Sequence, residues 1–594
     1  MARSALFFCA AVTAVRASFR PPAVPLAVST PFFSIWSFGD SLASQTMQWH
    51  GSPATLSSVL RVDNATYVLM GGAGGRAATQ LGHAAVSALT TRYAFSAGGV
   101  SLSLRFTTPA LPADAEAASR SGTYIEWEAA SADGAAHAVQ VFFGASGEVV
   151  SGYAGESLEW DRPAVAGALA MRIGLVGQRA PGFNLSAHMR ASTEPHQSQD
   201  FGFVYVLADG AAAASSVIAP QSAALAAFAA AGALPGAGGD AAPPAAADAA
   251  DPTLSAVAFD LGALPAGGAA VRVRALLLCD EVGSVLNYAT ILPPLWRKDF
   301  PIGDTSVVPA AALAKALADG DALLAAADAF DAALAPALAT AGGAGYANVT
   351  QLVFRQVTGA NGVTWNGSAV WTYQKEISSD GDMSTLDVIF PSAPQHLYFD
   401  GAQPLIDLLE PLLFIMAGNS PVHFNQPCSF HSAGKWPVVD VGNGGCSMRA
   451  CREGGGRSGG PLRRRAPYSL FSTHPLCASI YLFQFLRRPF LLCSHGIHGR
   501  RAHPCGRYHH GAQRQRLVGR ALHAHPCALC LLLQRLAALS RAAGYDGRFQ
   551  SCARQSHQPR AQVHHWHWRA GLPGAVGGQC ERRGGAVRHG ARLW

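Results

Sequence analysis

The chain has 594 residues and a formal net charge of +7, but this charge is divided unevenly along the sequence. Residues 1–440 carry 20 Lys and Arg against 34 Asp and Glu, whereas residues 441–594 carry 24 Arg, no Lys and 3 acidic residues. This division excludes a basic nucleic-acid-binding domain from the first part, which is long enough for two or three domains with a sizeable core.

The N-terminus has the pattern of a signal peptide over residues 1–17. Arg3 supplies the basic start, residues 4–15 are mostly apolar, and the segment ends in the small-residue pattern of a cleavage site. The apolar run is too short to span a bilayer. The sequence therefore predicts a secreted, extracellular protein without a membrane span.

Residues 18–300 have the pattern of an antiparallel β-sandwich. Short β-type runs are separated by turn signals, and several of them alternate apolar and polar residues, as strands with one wet face do. The runs lie at 65–72, 99–109, 123–131, 137–146, 254–262 and 269–281. Between them, residues 209–251 are rich in Ala, Gly and Pro and are expected to form a flexible surface insertion.

Helical patterns replace the β pattern near residue 300. Residues 309–340 place leucines on one broad face, and Gly342-Gly343 is expected to stop this helix. A second helix is predicted over 349–357. Residues 405–416 are apolar all round, which predicts a buried helix.

Residues 446–594 lack the periodicity of a folded domain. Cys527 and Cys530 form a CxxC, but no second ligand pair follows at a zinc-site spacing, so no metal site is expected. Read one base out of frame, the run "HHWHW" can encode "IIGIG", and its surroundings regain helical spacing. We therefore interpret this segment as frameshift- or intron-derived and expect a disordered or poorly packed tail.

Four N-x-S/T sequons are compatible with secretion and predict glycosylation at Asn64, Asn184, Asn348 and Asn366. Outside the signal peptide and the tail, the cysteines are Cys279 and Cys428. These two residues are able to pair, but nothing in the sequence demands a disulfide.

Several segments together resemble one known family. They include "LNYATILPPLWRKDF" (286–300), "WTYQKEISSDGDMSTLDVIFPSAPQHLYF" (371–399) and "LLEPLLFIMAGN" (408–419). Over about residues 25–440 the chain resembles the secreted glutaminase A family. The resemblance implies an N-terminal β-rich region, a six-hairpin (α/α)6 toroid, and hydrolysis of L-glutamine to glutamate and ammonia.

The expected architecture is therefore a multidomain β + α protein. An antiparallel β-sandwich (18–300) is followed by the start of a truncated (α/α)6 toroid (301–445) and then by the tail. His431, with the Gly and Pro that follow it at three-residue intervals, matches a family segment, whereas the helix that the family has next is absent from the sequence as written.

The candidate catalytic residues are the acidic cluster Glu376, Asp380 and Asp382 in the loop "KEISSDGD". Amide hydrolysis needs a base and an acid, and such carboxylates can serve as a base and as an acid or ammonium binder. The alternative is a helix cap with a surface ion pair. His431 is a candidate substrate-binding residue or a structural histidine, and Arg297 is expected to form an ion pair at the domain junction.

Three functions remain open from the sequence. The first is a glutaminase-like amidohydrolase, inactive as written because the toroid is incomplete. The second is a carbohydrate-active hydrolase on the same toroid, since paired carboxylates also cleave glycosidic bonds. The third is a non-enzymatic secreted binding module. A small-molecule or saccharide substrate is expected, with no cofactor and no nucleic acid.

Overall fold

The computed structural model describes residues 19–72, 75–152, 155–193, 198–210, 213–248, 250–300, 308–377, 381–416 and 431–441. The predicted signal peptide, the tail, Asp380 and Cys428 lie outside these residues.

Most strands belong to antiparallel sheets. In chain order the strands are β1 (Val24–Val28), β2 (Ser34–Ser37), β3 (Thr46–Gln48), β4 (Leu56–Val62), β5 (Ala65–Met70), β6 (Thr79–Gln80), β7 (Ala85–Val86), β8 (Thr90–Ala97), β9 (Val100–Thr107), β10 (Gly122–Ser131), β11 (His137–Ser146), β12 (Ser157–Asp161), β13 (Ala168–Leu175), β14 (Phe203–Asp209), β15 (Ala213–Pro220), β16 (Ala245–Ala246), β17 (Thr253–Leu264), β18 (Val271–Asp280), β19 (Val285–Asn287), β20 (Thr290–Leu292), β21 (Asn361–Trp365), β22 (Val370–Gln374), β23 (Asp382–Met383), β24 (Gly434–Lys435) and β25 (Val438–Val439).

The long helices follow the main sheets in the chain. The α-helices are α1 (Ala115–Ser119), α2 (Leu185–Ala191), α3 (Gln221–Ala231), α4 (Ala310–Ala318), α5 (Gly320–Gly359), α6 (Leu386–Tyr398) and α7 (Gln403–Met416).

Two sheets form the sandwich. The larger has the order β16-β12-β13-β14-β18-β10-β9-β8-β6, with β7 also paired to β8, and the smaller has the order β15-β17-β11-β4-β5. Their apolar faces share one core, in which the fully buried Trp127 of β10 packs against Phe143 and Phe259 of the smaller sheet. The ring centroids are 5.4 Å and 5.9 Å from that of Trp127. Such aromatic contacts add to the stability that the buried area provides.

The low-complexity segment is not simply a flexible insertion. Its residues 213–220 form β15, which pairs with β17 along the edge of the smaller sheet. The following α3 covers the outer face of that sheet, where Phe228 lies 5.5 Å from Phe142. The expectation was wrong for this part because alanine-rich sequence has good helix propensity, and a nearby apolar sheet face supplies the packing that the composition does not reveal.

Helix α4 and the first half of α5 pack on the outer face of the larger sheet. Leu313 and Leu324 join Leu276 and Leu278 in one buried cluster. The carboxylate of Asp328 on α5 accepts a hydrogen bond of 2.6 Å from the Arg105 guanidinium on the sheet. This stretch therefore covers the sandwich before the chain enters the helical region.

The helical stretch Gly320–Gly359 is interrupted at the two glycines that were expected to end the helix. Gly343 has φ 84° and ψ 176°, so the backbone kinks there and then resumes its helical path to Gly359. This positive φ favours glycine because a side chain would clash with the backbone. The expected helix end at Gly342-Gly343 is thus confirmed, as a break between the two helical segments of α5.

Helix α5 is long and apolar enough to cross a membrane, judged by length and composition alone, and among the described residues no other helix meets this test. Asp328 and Asp331 in its first half both hydrogen bond to the sandwich. Apolar helices of soluble proteins also meet the same test. The absence of a membrane span stays a prediction.

The expected role of Arg297 as an ion-pairing residue is confirmed. One Nη atom lies 2.9 Å and 3.0 Å from the two carboxylate oxygens of Asp280, and both side chains are completely buried. A buried pair of this kind requires both partners, because either charge alone would be poorly solvated.

A second core holds the helical region together. Helix α7 contributes Leu408, Leu409 and Leu412, which meet Tyr373 of β22 and Trp436. A separate small sheet, ordered β20-β19-β25-β24-β23, joins the end of the β-rich part to the segments around residues 382 and 435. The protein therefore has a β-rich sandwich followed by a helical region, as expected from the sequence.

Candidate active site

The acidic loop "KEISSDGD" is closed at its neck by main-chain contacts. Strand β22 leads into it, Lys375 forms a β-bridge with Met383, and the Glu376 N–H donates a 2.8 Å hydrogen bond to the Asp382 carbonyl. Glu376 and Asp382 therefore stand at the two sides of the neck. Asp380, the third candidate, lies outside the described residues.

The register of the small sheet places a cation opposite Asp382. Strands β23 and β24 pair so that Asp382 and Lys435 are direct cross-strand partners. The Lys435 ammonium lies 2.6 Å from Asp382 Oδ1, and the Asp382 side chain is only 13% exposed. A close pair that is partly shielded from water is worth more than an exposed one, because the surrounding dielectric is lower.

Gly434 allows this approach. Its φ is 150°, and a Cβ atom there would lie 2.2 Å from the Val438 carbonyl oxygen, closer than real Cβ atoms come. Only glycine fits such a close approach of two backbones. The glycine of the H-x-x-G-x-x-P segment thus folds the β24–β25 hairpin that holds Lys435 beside the acidic loop.

His431 lies between two carboxylates. Its Nδ1 is 3.7 Å from Asp382 Oδ2, and its Nε2 is 3.2 Å from Asp387 Oδ1. The ring is 62% exposed, so small molecules can reach it from solvent. The structure therefore brings together two of the candidates, Asp382 and His431, from positions 49 residues apart in the chain.

The β-rich part contributes an aromatic neighbour to the base of the loop. Lys375 is buried, and its ammonium lies 4.5 Å from the centre of the Trp49 ring, which is the geometry of a cation–π contact. Burial, together with the positive charge of Lys375, lowers the pKa of His50 to about 4. The site therefore joins segments from both ends of the described chain.

The residues that sequence reasoning missed are Lys435, Asp387 and Trp49. The alternative of a surface ion pair gave Lys375 to Glu376 as its partner, but Lys375 is buried. Lys435 directly follows Gly434 in the H-x-x-G-x-x-P segment, so a search of that segment for cations would have found it. Trp49 offers no such signal, because its contact depends on how the N-terminal segment folds back.

The arrangement offers a carboxylate, an ammonium group and an accessible imidazole within a few ångströms. These are the groups that proton transfer and oxyanion stabilisation use. Across the described part of the chain, no group of three or more His, Cys, Asp or Glu side chains is placed to hold a metal ion.

The sequons differ in accessibility. Asn64 is exposed in the β4–β5 turn, and Asn184 is exposed at the N-cap of α2. Asn366 lies in the β21–β22 turn, where its Oδ1 accepts hydrogen bonds from Ser368 and Ala369. Asn348 is half-buried within α5. Glycosylation at these four sites stays a prediction.

Cys279 is a buried free thiol among the described residues, which do not include its possible partner Cys428.

Comparison with known proteins assigns three regions of the chain. Residues 343–450 match the Glutaminase A six helical-hairpin domain, and residues 89–337 and 6–74 match two domains of unknown function, DUF5127 and DUF4964. Glutaminase A of Aspergillus oryzae is 28% identical over 401 residues, which cover 64% of this chain and 54% of that protein. A probable glutaminase of Arthroderma benhamiae is 39% identical over 82 residues, 14% of this chain and 9% of that protein.

The chain spans about half the length of the Aspergillus relative, and the Arthroderma match is shorter still. The matched regions follow the fold closely, because the DUF5127 match ends at residue 337 and the six-hairpin match begins at 343, the position of the kink in α5. With its β-rich domains first and the start of a six-hairpin toroid after them, the chain is a member of the glutaminase A family.

Proposed function

We propose that the protein is a secreted glutaminase-like amidohydrolase, which converts L-glutamine to L-glutamate and ammonia. The observation that carries the proposal is the carboxylate of Asp382, held 2.6 Å from the Lys435 ammonium and beside the exposed ring of His431. The names of the two relatives supply the substrate.

Hydrolysis of the amide requires a base for the attacking water, a donor for the developing oxyanion and an acid for the leaving nitrogen. In the proposed mechanism Asp382 takes a proton from water, and the water oxygen bonds to the amide carbon. Lys435 pairs with Asp382 and donates to the oxyanion. His431 protonates the nitrogen, the C–N bond breaks, and ammonia leaves.

The remaining candidates bind the substrate in this proposal. The main chain of Glu376 stands across the neck of the loop from that of Asp382. In this proposal the Glu376 carboxylate receives the α-ammonium group of glutamine. Asp380 lies in the same loop, so the Asp380→Asn variant is assayed together with Asp382→Asn to test whether Asp380 takes part in catalysis.

We further propose that the chain as written is inactive. A six-hairpin toroid needs about twelve helices, which at roughly eleven residues each plus loops occupy well over 200 residues. The family match ends at residue 450, close to the change in composition. Restoring the reading frame after this point should therefore restore the toroid and its activity.

The test measures ammonia release from L-glutamine by the chain as written and by its frame-restored form. We expect turnover only in the restored form, and Asp382→Asn should lower kcat more than tenfold because the base is lost. Asp380→Asn is compared in the same assay. Asp321→Asn is the matched control, since Asp321 is almost fully exposed and distant in sequence from the loop.

Two results would contradict the proposal. Turnover by the chain as written would remove the need for a restored frame, and full activity of a well-folded Asp382→Asn variant would remove Asp382 from the mechanism. Hydrolysis of aryl glycosides without ammonia release from glutamine would instead favour a carbohydrate-active hydrolase.

A further inference from the structure

A cavity of about 100 Å³ lies apart from the acidic loop, where the β-rich part meets the helical region. Its walls come from the segment around α1, from strands β21 and β22, and from the turn that joins α6 to α7. Cavities at such junctions are common places for small ligands to bind.

The charged side chains that the structure describes in the cavity wall are acidic. The carboxylates of Asp400 and Asp407 line it, and no described residue in its wall is Lys or Arg. Asp407 is buried and accepts a 2.6 Å hydrogen bond from the Gln403 amide, which fixes the direction of its carboxylate. Asp400 lies at the exposed rim. Two carboxylates in one small space attract a cation in preference to an anion or a zwitterion's carboxylate.

His396 supplies a further acceptor in the same cavity. It is only 6% exposed, and within the described residues its Nε2 has no hydrogen-bond partner. Burial lowers the pKa of His396 to about 4, so the imidazole is neutral at pH 7, and its tautomer with the proton on Nδ1 offers the Nε2 lone pair. A buried polar atom without a partner costs free energy, which a ligand that donates a hydrogen bond would recover.

The rest of the wall favours a small organic group. Phe354, Phe399 and Leu111 line the cavity together with the polar residues. An apolar wall lowers the local dielectric and strengthens each charge interaction inside it. It also disfavours a strongly hydrated metal ion, which would keep its water shell.

We propose that this cavity binds a primary ammonium group, through charge contacts with Asp400 and Asp407 and an N–H donated to His396. The group is either the free ammonium ion or the amino group of a small molecule. This proposal rests on the cavity alone and holds whether or not the acidic loop hydrolyses glutamine.

The test is calorimetric titration of the full chain at pH 7.5 and constant ionic strength. Ammonium chloride, methylammonium chloride and L-alanine separate the free ion, a simple amine and an α-ammonium group beside a carboxylate. Saturable binding of at least one is expected. Tetramethylammonium chloride, which has no N–H, and sodium chloride should give no saturable heat.

Two variants locate the binding. Asp400→Asn is expected to keep the fold, because Asp400 is exposed and Asn tolerates its positive φ of 48°. Asp407→Asn keeps an oxygen for the Gln403 hydrogen bond. Each should weaken binding at least tenfold, whereas Asp321→Asn, which removes the same charge from an exposed position outside the cavity wall, should leave it unchanged.

The proposal is overturned if none of the three amines binds saturably, or if tetramethylammonium binds as well as methylammonium. It is also overturned if Asp400→Asn binds with unchanged affinity. Because Asp400→Asn decides the question by itself, failure of Asp407→Asn to fold leaves the test intact.

Discussion

The sandwich buries its large apolar side chains, whereas the helical region leaves many of them in solvent. Among the described residues, those exposed in the helical region are Tyr346, Val349, Val353, Phe390, Tyr398 and Phe414, and those in the β-rich part are Phe38 and Val176. The helical region is also the shorter of the two. Its helices therefore carry apolar faces that the described part of the chain does not cover.

The difference teaches that the two regions close their cores in different ways. Each sheet of the sandwich finds its partner within about 250 residues of sequence, and α3, α4 and the first half of α5 cover its outer faces. In a six-hairpin toroid each hairpin instead covers its neighbour, so an isolated pair of helices keeps an open face.

The largest expected effect comes from moving the fragment boundary. A fragment of residues 18–342 should unfold cooperatively, and one of residues 18–300 should be at least about 3 kcal/mol less stable. The shorter fragment loses the helices that bury Leu276 and Leu278, and burying a leucine contributes roughly 1.5–3 kcal/mol.

Urea unfolding followed by tryptophan fluorescence compares the two fragments. Equal stabilities would show that α4 and α5 do not belong to the sandwich unit. In that case the boundary near residue 300, which the sequence predicts, would describe the molecule better than the kink at Gly343.

The pH dependence of stability should show the second largest effect, in the helical region. Burial lowers the pKa of His396 from 6.5 to about 4, so below pH 6.5 the unfolded chain binds a proton that the folded chain does not. Stability is then lost as the pH falls from 6.5 to 4, and the full loss is about 3 kcal/mol.

His396→Gln should remove this loss. The stability of the variant relative to the unchanged protein should rise by about 3 kcal/mol between pH 7.5 and pH 4, measured by urea unfolding at each pH. Gln at the exposed His83 is the control and should leave the pH profile unchanged. A constant difference between the His396→Gln variant and the unchanged protein would contradict the assigned burial.

The smallest effect is expected on the open helical face. Replacing Tyr346 by Ser or Val349 by Thr should change the unfolding free energy by less than about 0.5 kcal/mol, because both side chains are about half exposed. Leu352→Ala, on the buried side of the same helix, should cost about 2 kcal/mol or more.

The same substitutions in the frame-restored chain show whether the added hairpins cover this apolar face. If the added hairpins cover this face, Tyr346→Ser should become destabilising by more than about 1 kcal/mol, as burial of an aromatic ring requires. An unchanged effect of Tyr346→Ser would mean that the restored residues pack elsewhere.

Much of the β-rich part could be predicted from local pattern. The runs at 99–109 and 123–131 correspond to strands β9 and β10, and the run at 137–146 is β11. Alternation of apolar and polar residues is a local property of a strand, so it can be recognised in the sequence without knowing the partner strand. Helix α7 was expected from its composition, since apolar residues fill most positions from 405 to 416.

Other elements escaped prediction because local signals contradicted them. Helix α6 contains Pro391 and Pro394, which ordinarily argue against a helix interior. Strand β15 lies in low-complexity sequence, and its place at the sheet edge depends on β17, more than 30 residues away. Packing against a distant partner outweighs propensity at both places.

The sequence by itself determined the compositional break, the β-to-helix order and the motifs that hold Asp382 and His431. Only the tertiary structure decided that Lys435 lies opposite Asp382, that Trp49 covers Lys375, and that Asp400 and Asp407 share a cavity with His396. Periodicity and residue chemistry are properties of short segments. A charge pair or a cavity depends on strand register and helix packing, which only contacts between distant segments fix.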